Sequence, residues 1–219
     1  MFLVVFKRLK DNLTCLQYAN VANQFLSTLP DGTTYGQGPF REVRLLIDGQ
    51  VAGVAFPYPV VFTGGFAPPL WRPISAYGAL DLPAYFIDVT PFFPLLTDGQ
   101  SHNFTIDVVS AEADHQINSN WYVSGSLQVI TDSSSKPTTG KITQYQASPF
   151  AVTSNTGDAK GGEVDVTVTA TRKIHIESDI ISGSGKKTHA IWTQDLSYSN
   201  IQTYKNNASV QVRSCSRNT

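Results

Sequence analysis

The chain is 219 residues long, 41% hydrophobic and 15% charged, with a formal charge of −1 and an isoelectric point near 6.4. That hydrophobic share fills a sizeable core and excludes wholesale disorder, and the near-neutral balance offers no electrostatic footprint for nucleic acid or an anionic membrane. No apolar run of about 18 residues occurs, so no helix spanning a bilayer is expected.

Val, Ile and Thr supply 53 residues, and β-branched side chains favour strands. At the start, Phe2-Leu3-Val4-Val5-Phe6 precedes Lys7-Arg8. A secretory leader places its charges first and has a longer apolar stretch, so this run reads as a β-strand or the stub of a longer chain, with a remnant leader as the other reading. Alternation recurs at short intervals from there on. In Arg41–Asp48, Val43, Leu45 and Ile47 share one face, and Glu42 and Arg44 share the other. Asp48-Gly49 offers a hairpin turn into Gln50–Phe56, since Gly takes positive φ without penalty. Two further strands are expected at His102–Ser110 and Trp121–Ile130. The strongest alternation runs through Glu163–Ile180, where Val164, Val166, Val168, Ala170, Ile174, Ile176 and Ile180 point one way. Thr188–Leu196 and Ile201–Arg213 read as two more strands, with Gly183-Ser184-Gly185-Lys186-Lys187 as a hairpin turn. No stretch keeps a helical period. The expected fold is all-β: an antiparallel, jelly-roll-like β-sandwich with a further β-rich extension.

Two connections interrupt the strands. Pro57–Pro83 is rich in Pro and Gly and carries Trp71-Arg72; a loop this long in a compact β domain is functional or packs as a cover. Thr131–Gly140 is polar and reads as a linker or a long surface loop. These features divide the chain into residues 1–37, residues 38–131 as a sandwich core, and residues 132–219 as linker and β-rich continuation. One continuous unit over the last two is equally open.

Chemistry is sparse. His102, His115, His175 and His189 are scattered without ligand spacing, so neither a metal nor any other cofactor is expected. Phosphate-loop and nucleophile-elbow patterns are missing. Cys15 and Cys215 lie at opposite ends; they pair with each other, with partners elsewhere, or not at all, because sequence leaves connectivity open. Sequons at Asn12, Asn103 and Asn207 point weakly to the secretory pathway. What remains is a set of carboxylates, guanidiniums and indoles. Glu42 lies between Arg41 and Arg44, whose charges would favour its ionised form and could hold a sugar hydroxyl or amide oxygen; the bland reading is an exposed, ion-paired strand. Trp71-Arg72 offers a flat face for a sugar ring or a core plug. Glu112, Asp114 and His115 cluster near Trp121, by default as a polar turn.

A resemblance sharpens this inventory. Gly38-Pro39-Phe40-Arg41-Glu42-Val43-Arg44-Leu45-Leu46-Ile47-Asp48-Gly49-Gln50-Val51-Ala52-Gly53, then Phe56-Pro57-Tyr58-Pro59, Phe62-Thr63-Gly64-Gly65 and Trp71-Arg72-Pro73-Ile74 resemble the peptide N-glycanase A family of plants and fungi. So do Ile87-Asp88-Val89-Thr90-Pro91-Phe92, Val109-Ser110-Ala111-Glu112-Ala113, Asn118-Ser119-Asn120-Trp121 and His175-Ile176-Glu177-Ser178. The likeness covers roughly Gly38 to Val212; residues 1–37 look unlike the family. It implies a secreted or secretory-pathway amidase that cleaves N-glycans from asparagine on glycopeptides or glycoproteins, without a cofactor. It assigns Glu42 a catalytic role by rough analogy, with Arg41, Arg44, Trp71, Arg72, Glu112 and Trp121 as substrate-binding candidates. Family members are much longer, so the chain resembles an internal portion, and its expected partner is a second jelly-roll domain that supplies the rest of the site. A glycan-binding module without catalysis, using Trp71, Arg72 and Trp121, is the competing expectation, and an aggregation-prone remnant with open strand edges is a third.

Overall fold

The computed structural model describes residues 2–8, 16–57, 84–118 and 121–218. They form antiparallel strands β1 (Phe2–Arg8), β2 (Glu42–Ile47), β3 (Gln50–Ala55), β4 (Tyr85–Asp88), β5 (Phe104–Val109), β6 (Val123–Val129), β7 (Thr139–Ala147), β8 (Val152–Lys160), β9 (Glu163–Ile181), β10 (Lys187–Lys205) and β11 (Val210–Asn218). The helical segments among the described residues are single turns, such as Asn23–Leu26 and Phe93–Leu96. The fold is therefore all-β, as the alternation predicts. The described strands form three sheets, ordered β4-β1-β6, β3-β2-β5 and β11-β10-β9-β7, with β8 also paired to β9.

The hairpin β9–β10 is the longest element. Its two 19-residue strands are joined by Ser182–Lys186, where the Ser182 N–H donates to Lys186 O at 2.9 Å and Gly185 takes a φ of 89°. On β9 the even-numbered positions are inward, and the residues from Val164 to Ile176 on that face are buried throughout. One edge of β9 pairs with β10. The other is shared, with β8 taking Glu163–Thr171 and β7 taking Ile174–Ile181. Arg172 and Lys173 fall in the gap, opposite the Ser148–Ala151 connection.

Asp48 and Gly49 both take positive φ, at 48° and 80°, which gives the twist that a two-residue hairpin needs. Ile201–Arg213, expected as one strand, is divided: β10 continues unbroken to Lys205, and Asn206, Asn207 and Ala208, at φ of 51°, 52° and 61°, make the turn. The polar stretch expected as a linker is fastened at Asp132, whose carboxylate accepts the Ser184 hydroxyl at 2.7 Å and the Ser184 and Ser134 N–H groups. These bonds, the Ser184 hydroxyl first, hold its carboxyl well below the usual range.

One buried cluster draws on described residues from Tyr18 to Ala208. Val43, Leu45, Ile47, Phe56 and Ile87 pack with Val164, Val166, Val168, Ile176 and Tyr198. Tyr18, Val21, Ala22 and Leu29, from the segment that the sequence sets apart, join the same core. Phe40 meets the Phe56 ring edge-on at 4.8 Å and the Tyr198 ring at 5.1 Å; burying each such ring contributes about 1.5–3 kcal/mol. The edge of β3 is closed by Gln194 on β10, whose amide accepts from the Val54 N–H and donates to Val54 O, both at 2.9 Å.

Candidate active site

The site is built on β2 and the strands beside it. In β2 the expected division into a buried apolar face and an exposed polar face fails, because Glu42 is 0% and Arg44 is 7% exposed. A charged side chain survives there only with partners. Arg44 finds them across the pair β2–β5, where it lies opposite Asp107: Nε donates to Oδ1 at 2.8 Å and Nη2 to Oδ2 at 2.5 Å. Such a fork is about twice as strong as a neutral pair. Its Nη1 donates to Pro149 O at 2.7 Å, and the guanidinium lies 4.4 Å from the centre of the Phe150 ring, on which His115 stacks at 3.6 Å.

Beside that fork lies a groove of 540 Å³ between β5 and β6, lined by Asp107, Gln116, Asn118, Trp121 and Tyr122 among others. Trp121 is half-buried and packs on the core, and Tyr122 is exposed. An indole and a phenol beside a carboxylate and two amides make a surface suited to a sugar ring, whose faces are apolar and whose rim is hydroxyl.

Glu42 sits two positions from Arg44 on the same face of β2. Arg41 and Arg44 do not pair with it: Arg41 donates to the carbonyls of Gln37, Gly38 and Phe40, and Arg44 is committed to Asp107. The guanidinium facing Glu42 comes from β9, where Arg172 Nε lies 3.3 Å from Oε1. Oε2 accepts the Ala151 N–H at 3.4 Å. Neighbouring charge does favour the ionised form, through Arg172 and Arg44, but it does not set the direction of the shift. Burial is the dominant effect and raises its pKa, against the opposing pull of Arg172, the Ala151 N–H and Arg44. The same burial lowers the pKa of Arg172.

The other candidates are scattered. Glu112 is buried, accepting the Asn23 N–H at 3.1 Å, with its pKa raised by burial. Arg41 is the cation acting on it, and neither residue lines the groove. Trp71 and Arg72 lie outside the described residues. The structure thus brings together Glu42, Arg44 and, through Asp107, Trp121. Two contributors went unread in the sequence, Asp107 and Arg172. For Arg172 a signal exists: an arginine at inward parity, between Ala170 and Ile174 in the most regular strand of the chain.

A family model described as peptide N-acetyl-beta-D-glucosaminyl asparaginase amidase A matches residues 16–148. A second, for the C-terminal domain of the same group, matches residues 165–218. Peptide-N4-(N-acetyl-beta-glucosaminyl)asparagine amidase A of Prunus dulcis is 36% identical over 196 residues, 89% of this chain. The aligned part is 33% of that relative, so the chain spans about a third of its length. No solved structure matches. The match starting at residue 16 takes in most of the segment that looks unlike the family, and the buried Tyr18, Val21 and Leu29 explain why that segment belongs with the rest.

Proposed function

The chain belongs to the peptide-N4-(N-acetyl-β-glucosaminyl)asparagine amidase A family, and on that premise we propose that it hydrolyses the amide joining asparagine to the first N-acetylglucosamine of an N-glycan. Asparagine becomes aspartate and a glycosylamine leaves. One observation carries the assignment of the site. Glu42, a carboxyl with a pKa raised by burial, faces the Arg172 guanidinium and shares its face of β2 with Arg44, whose partner Asp107 lines the groove that offers the Trp121 indole. Amide hydrolysis needs a group that takes a proton from water and returns one to the leaving nitrogen, and a carboxyl moved toward neutral pH is suited to both. The groove holds the sugar, with Asp107, Gln116 and Asn118 as polar partners; the Arg44 fork keeps Asp107 oriented. The exposed sequon residues Asn103 and Asn207 fit a protein of the secretory pathway.

The test is Glu42→Gln. A denatured N-glycopeptide is incubated with the whole chain, and the change from amide to acid at asparagine is followed by mass spectrometry. The rate is expected to fall by about 10²–10⁴-fold, the usual contribution of a general acid–base group. An unchanged rate removes Glu42 from the mechanism. One observation favours a second reading, a glycan-binding module without catalysis: Glu42 has no exposed surface and sits in an ion pair of the kind that also serves structure alone. Glycopeptide binding without any mass change decides for that reading.

A further inference from the structure

Arg44 and Arg172 are both buried, yet only one is satisfied. Arg44 uses Nε, Nη1 and Nη2 on Asp107 and Pro149. Arg172, 2% exposed, has no hydrogen-bond partner at Nε, Nη1 or Nη2, and the Oε1 of Glu42 that faces it has none either. A buried ion pair without hydrogen bonds contributes less than the apolar side chains that could replace it. Donors left open in an otherwise inward-facing apolar row call for an explanation, and an acceptor that arrives from outside supplies one. The neighbouring wall is short. Ser148–Ala151 bridges β7 and β8 opposite Arg172, held by Arg44 on Pro149 O and by the long Ala151 bond to Glu42.

Resting on the amidase reading above, we propose that Arg172 is a catalytic residue of that reaction, its Nη1 and Nη2 donating to the amide oxygen of the glycosylated asparagine as negative charge develops there. Entry of the substrate displaces Ala151 from Glu42 and brings the amide against the pair. Glu42 takes a proton from water as the water oxygen bonds to the amide carbon. The carbonyl electron pair moves onto oxygen, where the guanidinium holds it. On collapse the carbon–nitrogen bond breaks and Glu42 returns its proton to the departing nitrogen, leaving aspartate and the glycosylamine.

The experiment compares the wild-type chain, Glu42→Gln, Arg172→Lys and Arg172→Ala on a denatured N-glycopeptide, with thermal unfolding of each. Arg172→Lys keeps a charge against Glu42, and so keeps the fold, but loses the planar pair of donors. Its kcat is expected to fall by about 10²–10³-fold, the effect of losing one oxyanion donor, with KM little changed. Added guanidinium is expected to restore part of the activity of Arg172→Ala, and methylammonium none. A wild-type kcat in Arg172→Lys, with Glu42→Gln inactive, overturns the role of Arg172 and leaves the amidase reading standing. A wild-type chain that never converts amide to acid overturns both.

Discussion

Strands β2 and β9 alternate apolar and polar residues in the same way, and the outcome differs. On β9 the alternation describes burial: Val166, Val168 and Ile176 are sealed inside, and Thr171 and Lys173 face solvent. On β2 Glu42 and Arg44 are as inaccessible as the apolar set, because Arg172 and the Ser148–Ala151 connection lie against them. What a strand's pattern means depends on how many of its faces are covered, and that is a property of the neighbours. Where the second face is covered, each charge needs a named partner, and the cost of losing one rises accordingly.

The comparison can be broken most severely on β9. Val168→Asp places an unpaired carboxylate in the core and is expected to cost more than about 4 kcal/mol, enough to lose the folded state in a urea titration. Thr171→Asp, three positions along on the outer face, should cost under about 1 kcal/mol; equal losses would mean that the two faces are not distinct. Next in size is Arg172→Met, which strands the Glu42 charge and is expected to cost about 3–5 kcal/mol. Adding Glu42→Met should return stability to the wild-type level or above it, since an apolar pair avoids desolvation. If the double variant is no better than the single one, the two residues are not coupled.

The smallest effect lies at the exposed end of β2. His102 contacts Asp48 at 2.7 Å and Asp98 at 3.0 Å, and its pKa is raised above 6.5, chiefly by the Asp48 hydrogen bond. A raised folded-state value means that its contribution is fully present below 6.5 and is lost as pH rises through the folded value. The ring resonances should titrate above 6.5 in the wild-type chain, and Asp48→Asn, which still tolerates the turn's positive φ, should bring the midpoint down. An unmoved midpoint removes Asp48 as the cause.

Much of the fold was legible. The β9–β10 hairpin, the Asp48-Gly49 turn and the strands near His102 and Trp121 carry alternation or turn chemistry in their own residues. Strands β7 and β8 were not, because they are held by pairing to β9 and their own residues carry no apolar rhythm. In the site, Trp121 was legible as an indole beside polar residues. The carbonyls to which Arg41 turns were not legible, since its nearness to Glu42 in sequence says nothing about them.

By itself the sequence determined that this is an all-β chain of one family, because period-two alternation and a long run of family residues are properties of consecutive positions. Which guanidinium meets Glu42 was decided only in three dimensions. The partner arrives from a strand far along the chain, at the gap between β7 and β8 where, among the described residues, no strand pairs with β9 on that edge, and burial there outweighs the nearby charges.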